Sequence, residues 1–119
     1  MKISIRITLE NCPLEERQKI FDSLDSVIID FRTSHPSIPY GYIEGQDLLS
    51  LLRTELVSPD KIVCSCTFDS GVYDAESAFE LFTKICDILK SACEPSVEFR
   101  LEMSLGDHLN ITYSSDGTN

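Results

Sequence analysis

Residues 2–10 read Lys2-Ile3-Ser4-Ile5-Arg6-Ile7-Thr8-Leu9-Glu10. Ile3, Ile5, Ile7 and Leu9 fall on one side of an extended chain and Lys2, Ser4, Arg6, Thr8 and Glu10 on the other, a period of two held over the whole segment. A strand of this pattern has one dry face and one wet face, so the sheet it joins is covered on one side only. Strands of sheets buried on both faces read instead as unbroken apolar runs.

The same alternation returns three times downstream. Ile62, Cys64, Cys66 and Phe68 alternate with Val63, Ser65 and Thr67 over 61–69, and Val97, Phe99, Leu101 and Met103 alternate with Glu98, Arg100, Glu102 and Ser104. After a turn near Gly106-Asp107, Leu109, Ile111 and Tyr113 repeat the spacing, so the last two strands form an antiparallel hairpin.

Between the strands the period changes to that of a helix. Ile20, Phe21, Leu24, Val27, Ile28 and Phe31 predict an amphipathic helix over about 14–32, with Pro13 at its first position and Glu15 and Glu16 near the positive end of its dipole. Asp74 as N-cap, followed by Ala78, Phe79, Phe82, Ile85, Cys86, Leu89 and Cys93, predicts a second long helix over about 75–93. A short helix over about 46–56 is read from Leu48, Leu49, Leu51, Leu52 and Leu56, ended by Ser58-Pro59-Asp60. Residues 33–46 hold two Pro and two Gly and read as a long irregular connection.

The expected fold is therefore α+β, a two-layer α/β sandwich of order βα(α)βαββ. Its sheet is four-stranded and mainly antiparallel, its helices lie on one face, and its topology is ferredoxin-like or related. The core would hold Ile3, Ile5, Ile7, Cys64, Cys66, Phe68, Phe99, Leu101, Met103 and Ile111. Residues 1–113 are expected to form one domain, with 114–119 a disordered tail. The start of the chain lacks the pattern of a secretory or transit peptide and no segment is apolar enough to span a bilayer, which sets a cytoplasmic expectation. Five cysteines, Cys12, Cys64, Cys66, Cys86 and Cys93, are an odd number without framework spacing and read as reduced thiols packed in the core.

Against this fold stands the charge. Twenty Asp and Glu oppose ten Lys and Arg, a formal net charge of −10. A field of that sign repels nucleic acid and anionic membranes and steers basic proteins inward. Residues 21–60 hold Asp22, Asp25, Asp30, Glu44, Asp47, Glu55 and Asp60 against Arg32 and Arg53, a local net charge of −5. The same stretch carries Tyr40 and Tyr42 beside Pro and Gly, a composition suited to an interface.

Catalytic chemistry finds little to work with. His35 and His108 have no nucleophile motif beside them and are read as solvent-exposed, and the carboxylates follow no metal-loop or phosphate-loop pattern. No catalytic residue, metal site or cofactor is expected.

The expected function is a non-enzymatic acidic protein that binds and neutralises a basic protein partner, in the manner of a bacterial immunity protein inhibiting a cationic nuclease-type toxin. Its partner-binding residues would be Asp22, Asp25, Asp30, Tyr40, Tyr42, Glu44, Asp47 and Glu55. The alternative is a structural or regulatory subunit that homodimerises through its sheet.

Overall fold

A computed structural model of the chain describes residues 2–35, 53–69, 71, 74–93, 96–107 and 109–115. In these the order is β1 (Lys2–Glu10), α1 (Leu14–Ser34), β2 (Arg53–Ser58), β3 (Lys61–Asp69), α2 (Ala75–Ala92), β4 (Glu98–Leu105) and β5 (Leu109–Ser114). The strands form one sheet of order β2-β3-β1-β4-β5, with every neighbouring pair antiparallel. Through β4 this is a βαββαβ chain in which β1 lies between β3 and β4, and β5 extends the sheet beyond β4.

The fold is thus α+β, with five strands and two helices among the described residues, where four strands are expected from the sequence. The difference is β2. Residues 53–56, expected at the end of a short helix, lie in a strand whose register sets Thr54 opposite Cys64 and Leu56 opposite Ile62. Pro59-Asp60 forms the two-residue connection from Ser58 to Lys61, so the signal that was read as a helix stop closes a hairpin. The remainder of that expected helix, residues 46–52, lies outside the described residues.

The alternation read from β1 holds. Ile3, Ile5, Ile7 and Leu9 are fully buried beneath the helices, each removing enough apolar surface from water to contribute roughly 1.5–3 kcal/mol. They meet Cys64, Cys66 and Phe68 of β3, Phe99, Leu101, Met103 and Leu105 of β4, and Ile20, Leu24, Ile28 and Phe31 of α1 in one contiguous core. From α2 come Ala78, Leu81, Phe82, Ile85, Cys86 and Leu89. Phe79, expected on that buried stripe, is 54% exposed and lies against Phe82 at the flank of the helix, with ring centroids 6.0 Å apart.

The junctions are pinned by polar contacts. Arg17 donates from Nε to the Cys12 carbonyl and from Nη2 to the Pro59 carbonyl, both at 3.1 Å, while the Asn11 amide donates to Asp60 at 2.8 Å. Together they tie the start of α1 to the β2–β3 turn. Asn11 takes φ 61° here, a left-handed conformation that Asn tolerates better than most residues. At the far end of the chain, Ser114 belongs to β5 and is buried, and the Ser115 amide donates to the Phe99 carbonyl at 2.9 Å. Both had been assigned to the tail; residues 116–119 lie outside the described residues.

Candidate functional site

Of the eight expected partner-binding residues, α1 places three. Burial of Ile20, Leu24, Ile28 and Phe31 along one side of the helix turns Asp22 and Asp30 outward, and both are exposed. Asp22 accepts a hydrogen bond from Gln18 Nε2 at 2.8 Å. Asp25 is half-buried on the flank, close enough to β3 for its charge to add to the burial that pushes the Cys64 and Cys66 thiols up to about 12.

Glu55 lies elsewhere. It pairs across the ladder with Val63, between the core-facing Ile62 and Cys64, so it projects from the face away from the helices. The expected single patch on the helical side therefore does not include it. Its helical assignment rested on the leucine spacing of 48–56, of which β2 holds only Leu56, 61% exposed at the sheet edge. Tyr40, Tyr42, Glu44 and Asp47 lie outside the described residues.

Placing the charges on the elements divides them sharply. The strand sequences hold five basic residues, Lys2, Arg6, Arg53, Lys61 and Arg100, and five acidic ones, Glu10, Glu55, Asp69, Glu98 and Glu102. The sheet is electrically balanced. All the net charge of −10 belongs to residues outside these five strands: the two helices hold eight acidic residues against five basic, and the rest of the sequence holds seven acidic residues and no Lys or Arg.

The helical layer extends the acidic surface beyond α1. Glu76, Glu80 and Asp87 of α2 are exposed, α2 packs beside α1, and Glu80 is engaged by Lys84 at 3.5 Å. Counting charge along the sequence missed them, because α2 is distant from residues 21–60 in the chain yet adjacent in space. Their positions off the apolar stripe of the helix were the available signal.

The opposite face of the sheet is open and short-chained, with Ser4, Thr8, Ser65, Thr67, Ser104 and Thr112 among its residues. Ser4 and Thr67 hydroxyls approach to 3.2 Å. Arg100 Nε donates to Glu102 at 2.7 Å, and Lys61 meets Glu10 at 3.5 Å. These pairs are about half exposed, so each contributes only about 0–1 kcal/mol. Two shallow hollows of about 320 and 390 Å³ share Arg6 and Glu102. Their opposed charges give this face little preference for either sign of ligand.

The groups capable of reactive chemistry are built into structure. Cys12, Cys64, Cys66 and Cys86 are buried and Cys93 half-buried, all as free thiols. Burial raises the pKa of each, Cys93 to about 11, so at neutral pH they are protonated and poorly nucleophilic. His35, read as solvent-exposed, is half-buried after α1: its ring stacks on Phe31 at 4.2 Å and its Nδ1 donates to the Phe31 carbonyl at 3.0 Å. Its own carbonyl accepts from the Gly71 amide. His108 lies outside the described residues.

Among the described residues, no group of three or more His, Cys, Asp or Glu is placed to hold a metal ion, and no helix is long and apolar enough to cross a membrane. Compared with known proteins, the chain matches no family model, and no curated protein matches it.

Proposed function

We propose that this protein is a non-enzymatic, cytoplasmic binder of a basic protein, an immunity-type inhibitor whose partner is a cationic, nuclease-like toxin domain. The observation supporting this reading is the division of charge: the five strands are balanced, and the net charge of −10 is carried wholly by residues outside them. Asp22, Asp25 and Asp30 on α1, with Glu76, Glu80 and Asp87 on α2, give the helical layer a negative field. Such a field accelerates encounter with a basic cleft, and carboxylates there compete with phosphate for the partner's Arg and Lys. Charge imitation of the substrate is the mechanism of inhibition.

The test is kinetic. With a cationic nuclease-like domain that this chain binds as the probe, association should slow by at least about tenfold between low and high salt, as screening shortens the reach of the field. Replacing Asp22, Asp30 and Glu80 together by Lys should slow it similarly. An association rate indifferent to both changes would remove the helical layer from consideration, and loss of binding on Arg6→Glu would move the site to the open sheet face.

A further inference from the structure

The two edges of the sheet are not alike. Edge strands offer unpaired amides and carbonyls, and proteins usually defend them with charges, bulges or twist. The β2 edge is defended: it contains Arg53 and Glu55, and its register is broken between Leu56 and Ser58. The β5 edge, Leu109-Asn110-Ile111-Thr112-Tyr113-Ser114, has no charged residue, no proline and an unbroken register from Leu105↔Leu109 to Arg100↔Ser114.

The hydrogen bond from the Ser115 amide to the Phe99 carbonyl fixes which β5 groups are already used. In an antiparallel ladder, residues alternate between bonding the neighbour and pointing away. Leu109, Ile111 and Tyr113 therefore bond to β4, while Asn110, Thr112 and Ser114 direct their backbone groups outward. No other described strand receives them. On the helical side, Leu109, Ile111 and Tyr113 are only partly buried at the margin of the core.

We propose that β5 pairs antiparallel with β5 of a second copy of this chain, about a two-fold axis at Thr112, forming one sheet continuous through both copies. With Thr112 opposite Thr112, Asn110 faces Ser114 and Ile111 lies beside Tyr113 of the other copy, an aromatic and β-branched pairing that extends the core across the axis. Every cross-axis pair within the strand is uncharged. Charge also selects the occupant. Two chains at −10 repel through the carboxylates outside their strands, and this neutral strand is where they approach at least cost, whereas a basic partner is drawn to the carboxylates. The pairing stands independently of the proposed toxin partner.

Sedimentation of the full chain over a concentration series tests it. The wild type should show a concentration-dependent dimer. Thr112→Pro removes an amide that makes no bond to β4, a substitution edge strands accept, and Thr112→Lys sets two like charges against each other on the axis. Each variant should weaken dimerisation at least about tenfold, with the circular dichroism of the wild type retained. Should Thr112→Pro alter the fold, Thr112→Lys decides. A wild type that remains monomeric at the highest concentration, or a dimer that survives Thr112→Lys, overturns the proposal.

Discussion

The ammonium of Lys90 lies 4.7 Å from the centroid of the Tyr113 ring, and that ring stacks at 5.7 Å on Phe99. Lys90 is in the last turn of α2 and Tyr113 near the end of β5, so one side chain joins the helical layer to the strand added beyond β4. Lys90→Ala should destabilise the protein by about 0.5–1 kcal/mol through the lost cation–π contact. Tyr113→Ala should cost about 2 kcal/mol, because apolar contact with Phe99 is lost too. Urea unfolding of both single variants and the double variant measures the coupling, expected to be of the order of the Lys90 effect.

Gly106 takes φ 54° in the β4–β5 connection, and its amide donates to the Lys2 carbonyl at 2.8 Å. A Cβ at that position meets the steric cost of the left-handed region. Gly106→Ala should therefore lower stability by about 1 kcal/mol or slightly more. Asn11→Gly, at the other positive φ, should leave stability nearly unchanged. Equal losses at both sites in equilibrium unfolding would refute this account of the two turns.

Cys64 and Cys66 have thiols raised to about 12 from an ordinary value of 9.0, chiefly by burial. A raised folded-state pKa means that the unfolded chain ionises first. The stability held by these neutral thiols is full below pH 9 and is lost as pH climbs toward 12. Denaturation midpoints should fall over that window, less steeply in Cys64→Ala. At neutral pH a thiol reagent should modify half-buried Cys93 before either of them, and rapid native-state labelling of Cys64 would contradict its burial.

Asp74 caps α2, its Oδ2 accepting from the Ser77 amide at 2.8 Å, and that bond holds its carboxyl below the ordinary 3.8. The contribution of a lowered carboxyl is present above its unfolded value and disappears as pH falls through its folded one. Asp74→Ala should thus lower the thermal midpoint at neutral pH, and the gap to wild type should narrow in strong acid. Asp74→Ser, which can still cap, should recover most of the loss.

What the sequence disclosed and what it hid follow from where each segment lies. Strands β1, β3 and β4 each press alternate side chains against the helices, so burial wrote their period directly into Ile3 to Leu9, Ile62 to Phe68 and Phe99 to Met103. Strand β2 lies at an edge, where Leu56 and Val57 are both more than half exposed. Solvent imposes no alternation there, so the strand leaves no period of two in the sequence for a reader to find. The acidity was legible as a count, but its division between layers was not, since Glu55 leaves the helical side and Glu80 joins it only once strands and helices are paired in space. Strand order was equally hidden, because it is a relation between segments far apart in the chain.

That order has a consequence for how the protein is made. Ile5 sits between Cys66 on one flank and Met103 on the other, so both neighbours of the first strand come from the second half of the sequence. As the chain leaves a ribosome, Ile3, Ile5, Ile7 and Leu9 must wait without a strand partner until β3 emerges, and the second flank closes only after β4. Long-range pairing of this kind makes folding slow and late. A strand that buries four large aliphatic side chains is thus left as a nascent segment in need of shelter until its partners emerge.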